Sequence, residues 1–339
     1  MKLLSLAIFA VAALGCEPSA VTRTYRADAA FTGIGHGVGP TITDFVASGP
    51  VTAISGQTIS GLWISNPNGP CITVNGVSNV TILNNQIGPC GPTAAGVGID
   101  LYSSDHVTVE NNALNDVATG LEASDSTGGT ITFSHNLVTK VRGPYPRGQM
   151  VQFNTVSGAG SSITCNVSDQ AIGGYLDGSG AYTGPEDHIN LYMSNGTATS
   201  PIEVAYNKLR GGGSKSGGGT VLGDSAGSNE YSHDNIMINT GQYGAGIAGG
   251  TGMRLADNRV FASQNPWTTG AGIEVEAFGT VACANPAVSG NRVNYTQSSG
   301  GIYGYWSDGK CSGISLTANV FSDPTVTADM WNDVLPQCQ

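Results

Sequence analysis

Arg147, Gln152 and Asn154, then Glu186, Asp187, His188, Asn190 and Tyr192, then Lys215 and Asp224 gather acid, base and amide side chains into the middle of the chain. Removing the proton beside a uronate carboxylate needs that carboxylate neutralised, with a base and an acid near the same ring. Arg147 with Asn190 or Gln152 could neutralise, while His188, Tyr192 or Lys215 could abstract or return the proton. For His188 the plainer alternative is an exposed sheet residue without a chemical role. A second chemistry is open to Asp224 and Glu276, two repeats apart in one row. At sheet spacing they stand about 9.6 Å from each other, near the upper end for an inverting carboxylate pair. Glu186 and Asp187, with Asp224, would bring hard oxygen ligands together for Ca2+.

These residues are positioned by a repeat. Val80–Ile87 reads apolar-Thr-apolar-x-x-Asn-x-apolar around Asn85. The same frame recurs around Asn112, Asn136, Asn207, Asn258 and Asn319, more loosely around Asn235 and Asn291, and in shortened form at Asn166. Successive asparagines lie 27 (85 to 112), 24 (112 to 136), 28 (207 to 235) and 23 (235 to 258) residues apart, a period that means stacked units. Alternating apolar residues make each copy a strand, and the Asn falls where the strand turns. An inward Asn can bond the turn backbone and the equivalent amides above and below.

Each repeat carries a second strand. One register sends Ile99, Leu121, Val151, Ile189, Val221, Ile247, Ile273 and Ile302 inward. Asp100, Glu122, Gln152, Asn190, Leu222, Glu274 and Tyr303 then form one outer row, and Tyr102, Asn154, Tyr192, Asp224, Glu276 and Tyr305 a second, with His188 one pleat before Asn190. Longer loops flank the strip: 141–148 with Arg142, Tyr145 and Arg147, 169–186 with Tyr175 and Asp177, and 210–218 with Lys215. The expected substrate-binding set is Arg142, Gln152, Asn154, Asn190, Glu276 and Tyr305, around the reacting groups Arg147, His188, Tyr192, Lys215 and Asp224. Arg142 and Arg147 could instead satisfy loop carbonyls.

The Asn-ended repeats over residues 57–322 resemble the right-handed parallel β-helix superfamily of pectate lyases, alginate lyases, polygalacturonases and phage tailspikes. The resemblance implies an all-β fold, a single right-handed parallel β-helix solenoid of about nine or ten coils with terminal caps. It does not carry catalytic residues over. The chain lacks a pectate-lyase-type run of calcium-binding Asp residues, the polygalacturonase Asn-Thr-Asp and Gly-His-Gly, and the Asp-Pro-His-Glu of mannuronan epimerases. Three readings stand: a lyase cleaving an acidic polysaccharide by β-elimination, an inverting glycoside hydrolase, and a non-catalytic glycan-binding surface protein.

Composition fits a long, thin core with tight turns: 50 Gly, 40% apolar and 11% charged residues. A net charge of −11 argues against nucleic acid as a partner. Met1-Lys2 and the short apolar run to Leu14 read as an export signal over residues 1–16. Ala13-Leu14-Gly15-Cys16 departs from a bacterial lipobox in its Leu position, so a lipid anchor at Cys16 and plain secretion both stay open. The expected location is secreted, or periplasmic and outer-membrane-anchored. No other stretch is apolar enough to span a membrane. Cys71 with Cys90 and Cys283 with Cys311 are the simplest disulfides. Residues 17–56 are read as a first coil and cover, 57–322 as the β-helix, and 323–339 as a cap over the last coil held by Cys338. A capped solenoid of this kind is expected to be a monomer. Gly211–Gly219 lacks the strand-loop-helix setting of a phosphate loop and is read as a flexible loop presenting Lys215.

Overall fold

The computed structural model describes residues 24–26, 37–143, 148–170, 175–176, 182–279 and 281–339. The expected export signal, Cys16 and Arg147 lie outside them. Each repeat folds into three short strands, and equivalent strands stack into three long sheets. Sheet A runs from Asp44–Ser48 to Arg292–Tyr295, sheet B from Val51–Thr52 to Tyr305–Ser307, and sheet C from Thr58–Ser60 to Ser315–Thr317. Among the described residues sheets B and C have 10 strands each, so the chain is a right-handed parallel β-helix with ten coils described. Sheet A has an eleventh strand, Thr24–Arg26, paired antiparallel to Asp44–Ser48 at its N-terminal edge.

Inward residues of all three sheets stack on their counterparts one coil away. Ile99, Leu121, Val151 and Ile189 pair in register, as do Val80, Val107 and Ile131, and all are completely buried. The turn from sheet C to sheet A carries the asparagine ladder. Asn85, Asn112, Asn136, Asn166, Asn207, Asn235, Asn258 and Asn291 are 0% exposed. Asn112 donates from Nδ2 to Asn136 Oδ1 at 3.0 Å and to the Ile82 carbonyl of the preceding coil at 2.9 Å, and its backbone N–H also reaches Asn136 Oδ1 at 2.9 Å. The pattern repeats to Asn319. The residue before each ladder Asn is left-handed, including Asn84 (φ 55°), His135 (φ 54°), Tyr206 (φ 59°) and Asp257 (φ 53°). That conformation aims the next side chain inward while the chain turns a corner.

Disulfides Cys71–Cys90 and Cys283–Cys311 form as the spacing suggested, and the third joins Cys165 to Cys338 across 173 residues of sequence. The C-terminal segment does not cover the last coil. Its short 3₁₀ turns, Ala328–Asn332 and Pro336–Cys338, lie along the outside of sheet A, where Val326, Met330 and Trp331 pack on Leu137, Val167, Ile236 and Ile238. The outward apolar residues of sheet A offered a better partner than the end of the stack, and the Arg210 guanidinium sits 4.2 Å from the Trp331 ring centroid. Replacing both Cys165 and Cys338 by Ser is expected to cost about 2–4 kcal/mol. Hydrogen exchange should show lost protection confined to 326–338 and the sheet A strands beneath.

Candidate active site

Sheet B carries the strip, and its register breaks at one place. Ile189 pairs with Thr220 and Asn190 with Val221, but Tyr192 pairs with Asp224, so two residues oppose Leu191. This bulge reverses the expected facing of two neighbours. Val221 lies on the groove side opposite Asn190, whereas Leu222 is fully buried and pairs with Ile247. A bulge re-aims side chains and bends its strand, and here it presents Asp224. The backbone around it is strained: Ser225 has φ 60° and Ala226 φ 149°, the latter a region almost restricted to Gly.

A groove of about 330 Å³ opens over this bulge. Its lining includes Asp187, Asp224, Tyr243, Glu274, Glu276 and Lys215. Asp187 is 3% exposed, and its Oδ1 accepts from Tyr243 Oη at 2.6 Å and from the Gly218 amide at 2.8 Å. Gly218 must be Gly, because a Cβ there would lie 2.2 Å from the Tyr243 carbonyl oxygen. Most of the glycine run expected to be a flexible loop, from Ser214 on, instead belongs to strand Ser214–Asp224, where Gly217 packs against Glu186 and Asp187.

Asn190 Nδ2 donates to Asp187 Oδ2 at 3.2 Å and to Asp224 Oδ2 at 2.9 Å, which bounds those two oxygens to about 6 Å of each other. Burial pushes the Asp187 carboxyl up to about 6, against the opposing pull of its hydrogen-bond donors, with the Asp224 charge adding to the rise. Glu274, across the groove, is pushed up to about 7, again chiefly by burial, although the Ala271 amide donates to it at 2.9 Å. Glu230 is fully buried beneath the bulge, accepts from the Gly223 amide at 2.7 Å, and is held well above the ordinary carboxyl range by burial.

Three of these folded-state values lie above those of an unfolded chain, so the native protein holds protons that the unfolded one has lost. For Asp187 and Glu274 that stabilisation is complete below about pH 4 and is lost as pH rises through 6 to 7. Melting temperature should therefore fall between pH 5 and 8. Glu274→Gln keeps the acceptor without the charge, and at pH 8 it should raise the melting temperature by about 2–6 °C with no change at pH 4.

Several expected site residues stand elsewhere. His188 does not face the strip: it is 1% exposed, with Nδ1 2.7 Å from Ser168 Oγ and Nε2 2.9 Å from the Gly211 carbonyl. Burial pushes it down to about 4, so it is a neutral corner bracket donating from Nε2. Arg142 donates to the carbonyls of Cys90 (2.8 Å) and Gly91 (2.6 Å) and pairs with Asp116, the loop-fastening alternative. Tyr305 stacks on Phe321 at 5.0 Å and pairs with Ile273, replacing Ile302, which is 49% exposed, at the inward position. Gln152, Asn154 and Tyr192 do lie half-buried on sheet B, Gln152 beside Asn190 and Asn154 beside Tyr192. Lys215 is exposed at the groove edge, 5.5 Å from the Trp267 ring centroid. Glu186 also lines the groove, where Ser216 Oγ donates to it at 3.2 Å. Asp187 already accepts from three donors, and no cluster of three or more His, Cys, Asp or Glu suited to a metal occurs among the described residues. Tyr243 was missed because it reaches Asp187 from two coils further on. The Gly-rich strand that makes room for it was the available signal.

The family model described as a right handed beta helix region matches residues 45–169, the first half of the solenoid. That fold is shared by pectate lyases and other carbohydrate-active proteins, so it defines a class of scaffold and no single activity. No curated protein matches the chain.

Proposed function

We propose that the groove hydrolyses glycosidic bonds in a neutral polysaccharide, with Asp187 and Asp224 as its two carboxyl groups. The observation that carries this reading is the shared Asn190 amide, which holds a buried, proton-retaining Asp187 beside a half-exposed Asp224. Two carboxyls in unlike environments divide into an acid and a carboxylate. Their closeness suits a retaining enzyme better than an inverting one. In such a reaction Asp224 attacks the anomeric carbon as Asp187 gives its proton to the departing glycosidic oxygen. Asp187 then takes a proton from water, and that water displaces Asp224. Tyr243 and Gly218 fix the Asp187 carboxyl, and Tyr243 lowers its proton affinity.

Lining charges favour hydrolysis over the β-elimination expected from the sequence. Among the described residues lining the groove are five carboxyl groups and one ammonium, that of Lys215. A polyuronate would meet repulsion there. Reaction through this pair needs no Ca2+, and a chelator is expected to leave the rate unchanged. Three disulfides fit an oxidising compartment outside the cytoplasm, and no helix among the described residues is long and apolar enough to cross a membrane. Incubation with neutral β-glucans, xylan, mannan and polyuronates should release reducing ends from a neutral polymer, with the anomeric configuration retained in the first product. An ultraviolet-absorbing unsaturated product from a polyuronate would establish the lyase instead, and retention without cleavage the binder.

A further inference from the structure

The groove does not stop at Glu274. A second depression of about 370 Å³ continues it toward the C-terminal end of the stack, sharing Gln242, Glu274 and Glu276 and adding Gln297, Tyr303 and Trp306. Trp306 pairs with Glu274 on sheet B, so it extends the outer row that contains Asn190, Val221 and Gly246. It is 40% exposed, and Tyr303 is 47% exposed. Both aromatics are held from behind. The Tyr303 amide donates to the Tyr295 carbonyl at 2.9 Å, and its carbonyl accepts from the Gly272 amide at 2.9 Å, while Trp306 is anchored in a parallel strand. Gln297 is fixed by donating from Nε2 to the Thr269 carbonyl at 3.0 Å.

We propose that Tyr303 and Trp306, with Gln242 and Glu276, form a separate sugar-binding platform that takes a neutral pyranose ring of an oligosaccharide. A pyranose has an apolar C–H face that an indole or phenol ring covers, and edge hydroxyls that amides and carboxyls bond. Single exposed aromatics need no explanation. Two of them on rigid backbone, beside hydrogen-bonding groups and continuous with the groove, form a receptor for such a ring. The strand of Trp306 is three strands beyond that of Asp224 in sheet B, about 14 Å. A ring on Trp306 therefore cannot be the ring under attack. The ligand must be an oligomer lying along the solenoid axis, with its length measured between these two points.

The proposal deepens the hydrolase reading, so its test is made on a variant that cannot cleave. Asp187→Asn protein is titrated with hexasaccharides of β-1,4-glucose, β-1,3-glucose, α-1,4-glucose, β-1,4-xylose and β-1,4-mannose, and with free glucose, following tryptophan fluorescence and calorimetric heat. At least one hexasaccharide should bind much more tightly than glucose. Adding Trp306→Ala should weaken that binding about tenfold or more, Tyr303→Ala should weaken it as well, and both should melt at the temperature of the parent. Equal affinity with and without Trp306, or no binding by any hexasaccharide, would overturn the platform. Failure of the hydrolase reading looks different: wild-type protein would bind the hexasaccharide through Trp306 and leave it intact.

Discussion

Asp187→Asn is expected to reduce turnover of the best neutral polysaccharide by 10²-fold or more, the scale of a lost acid–base group, with the fold unchanged. Asn retains the acceptor for Tyr243 and the Gly218 amide. Asp224→Asn should lose at least as much, because it removes the carboxylate that attacks. The pH profile separates these roles from mere positioning. Since the acid must be protonated, activity should fall as pH rises through about 6, the range to which burial moves Asp187. Tyr243→Phe removes a donor that lowers that value, so the descending limb should move to higher pH. A profile flat from pH 5 to 8, or an Asp187→Asn variant of nearly full activity, would end the assignment.

Asn207→Leu should have the largest effect on folding. It removes the side-chain partner of the Ile163 carbonyl and of the Asn166 amide N–H inside a sealed column, whereas Asn166 Nδ2 keeps the Phe133 and Thr164 carbonyls and Asn235 Oδ1 keeps the Asn207 backbone N–H. At about 1–3 kcal/mol for each orphaned buried group, the loss is about 2–6 kcal/mol, a large share of the stability of an ordinary domain, about 5–15 kcal/mol. The melting temperature should fall by several degrees or more. Asn319→Leu is the informative contrast: Asn319 is partly exposed at the end of the column, so water can replace what Asn291 loses, and a modest drop in melting temperature is expected. Equal melting curves for Asn207→Leu and the parent would refute the energetic role of the column.

That column was legible in the sequence because its requirement is local and repeated: one amide, at a turn, in every coil. The pairings of Cys71 with Cys90 and Cys283 with Cys311 were legible for the same reason, each joining neighbouring coils. The bulge before Asp224 was not. Thr220, Val221 and Leu222 all suit a strand, and one inserted residue exchanges the inner and outer faces without changing any preference. The same slip hid the last coil, where Tyr305 takes the inward position expected of Ile302. His188 misled because its spacing fits the outer row, while its actual bonds to Ser168 and Gly211 reach a different sheet and a later turn. The hydrogen-bond environment of Asp187 was not legible either, since its three donors come from Gly218, Asn190 and Tyr243 on three separate coils.

The Cys165–Cys338 bond ties the middle of the chain to its last residues, and it decides how the solenoid would carry a mechanical load. Tension applied between Gly37 and Gln339 passes along the chain to Cys165, crosses the disulfide and leaves at Cys338. The coils beyond Cys165, including the whole groove, are then bypassed. Only the early coils unravel under an oxidised pull. Once that bond alone is reduced, the 173-residue span less the 28 still looped by Cys283–Cys311, 145 residues, can be drawn out, adding roughly 500 Å of extended chain.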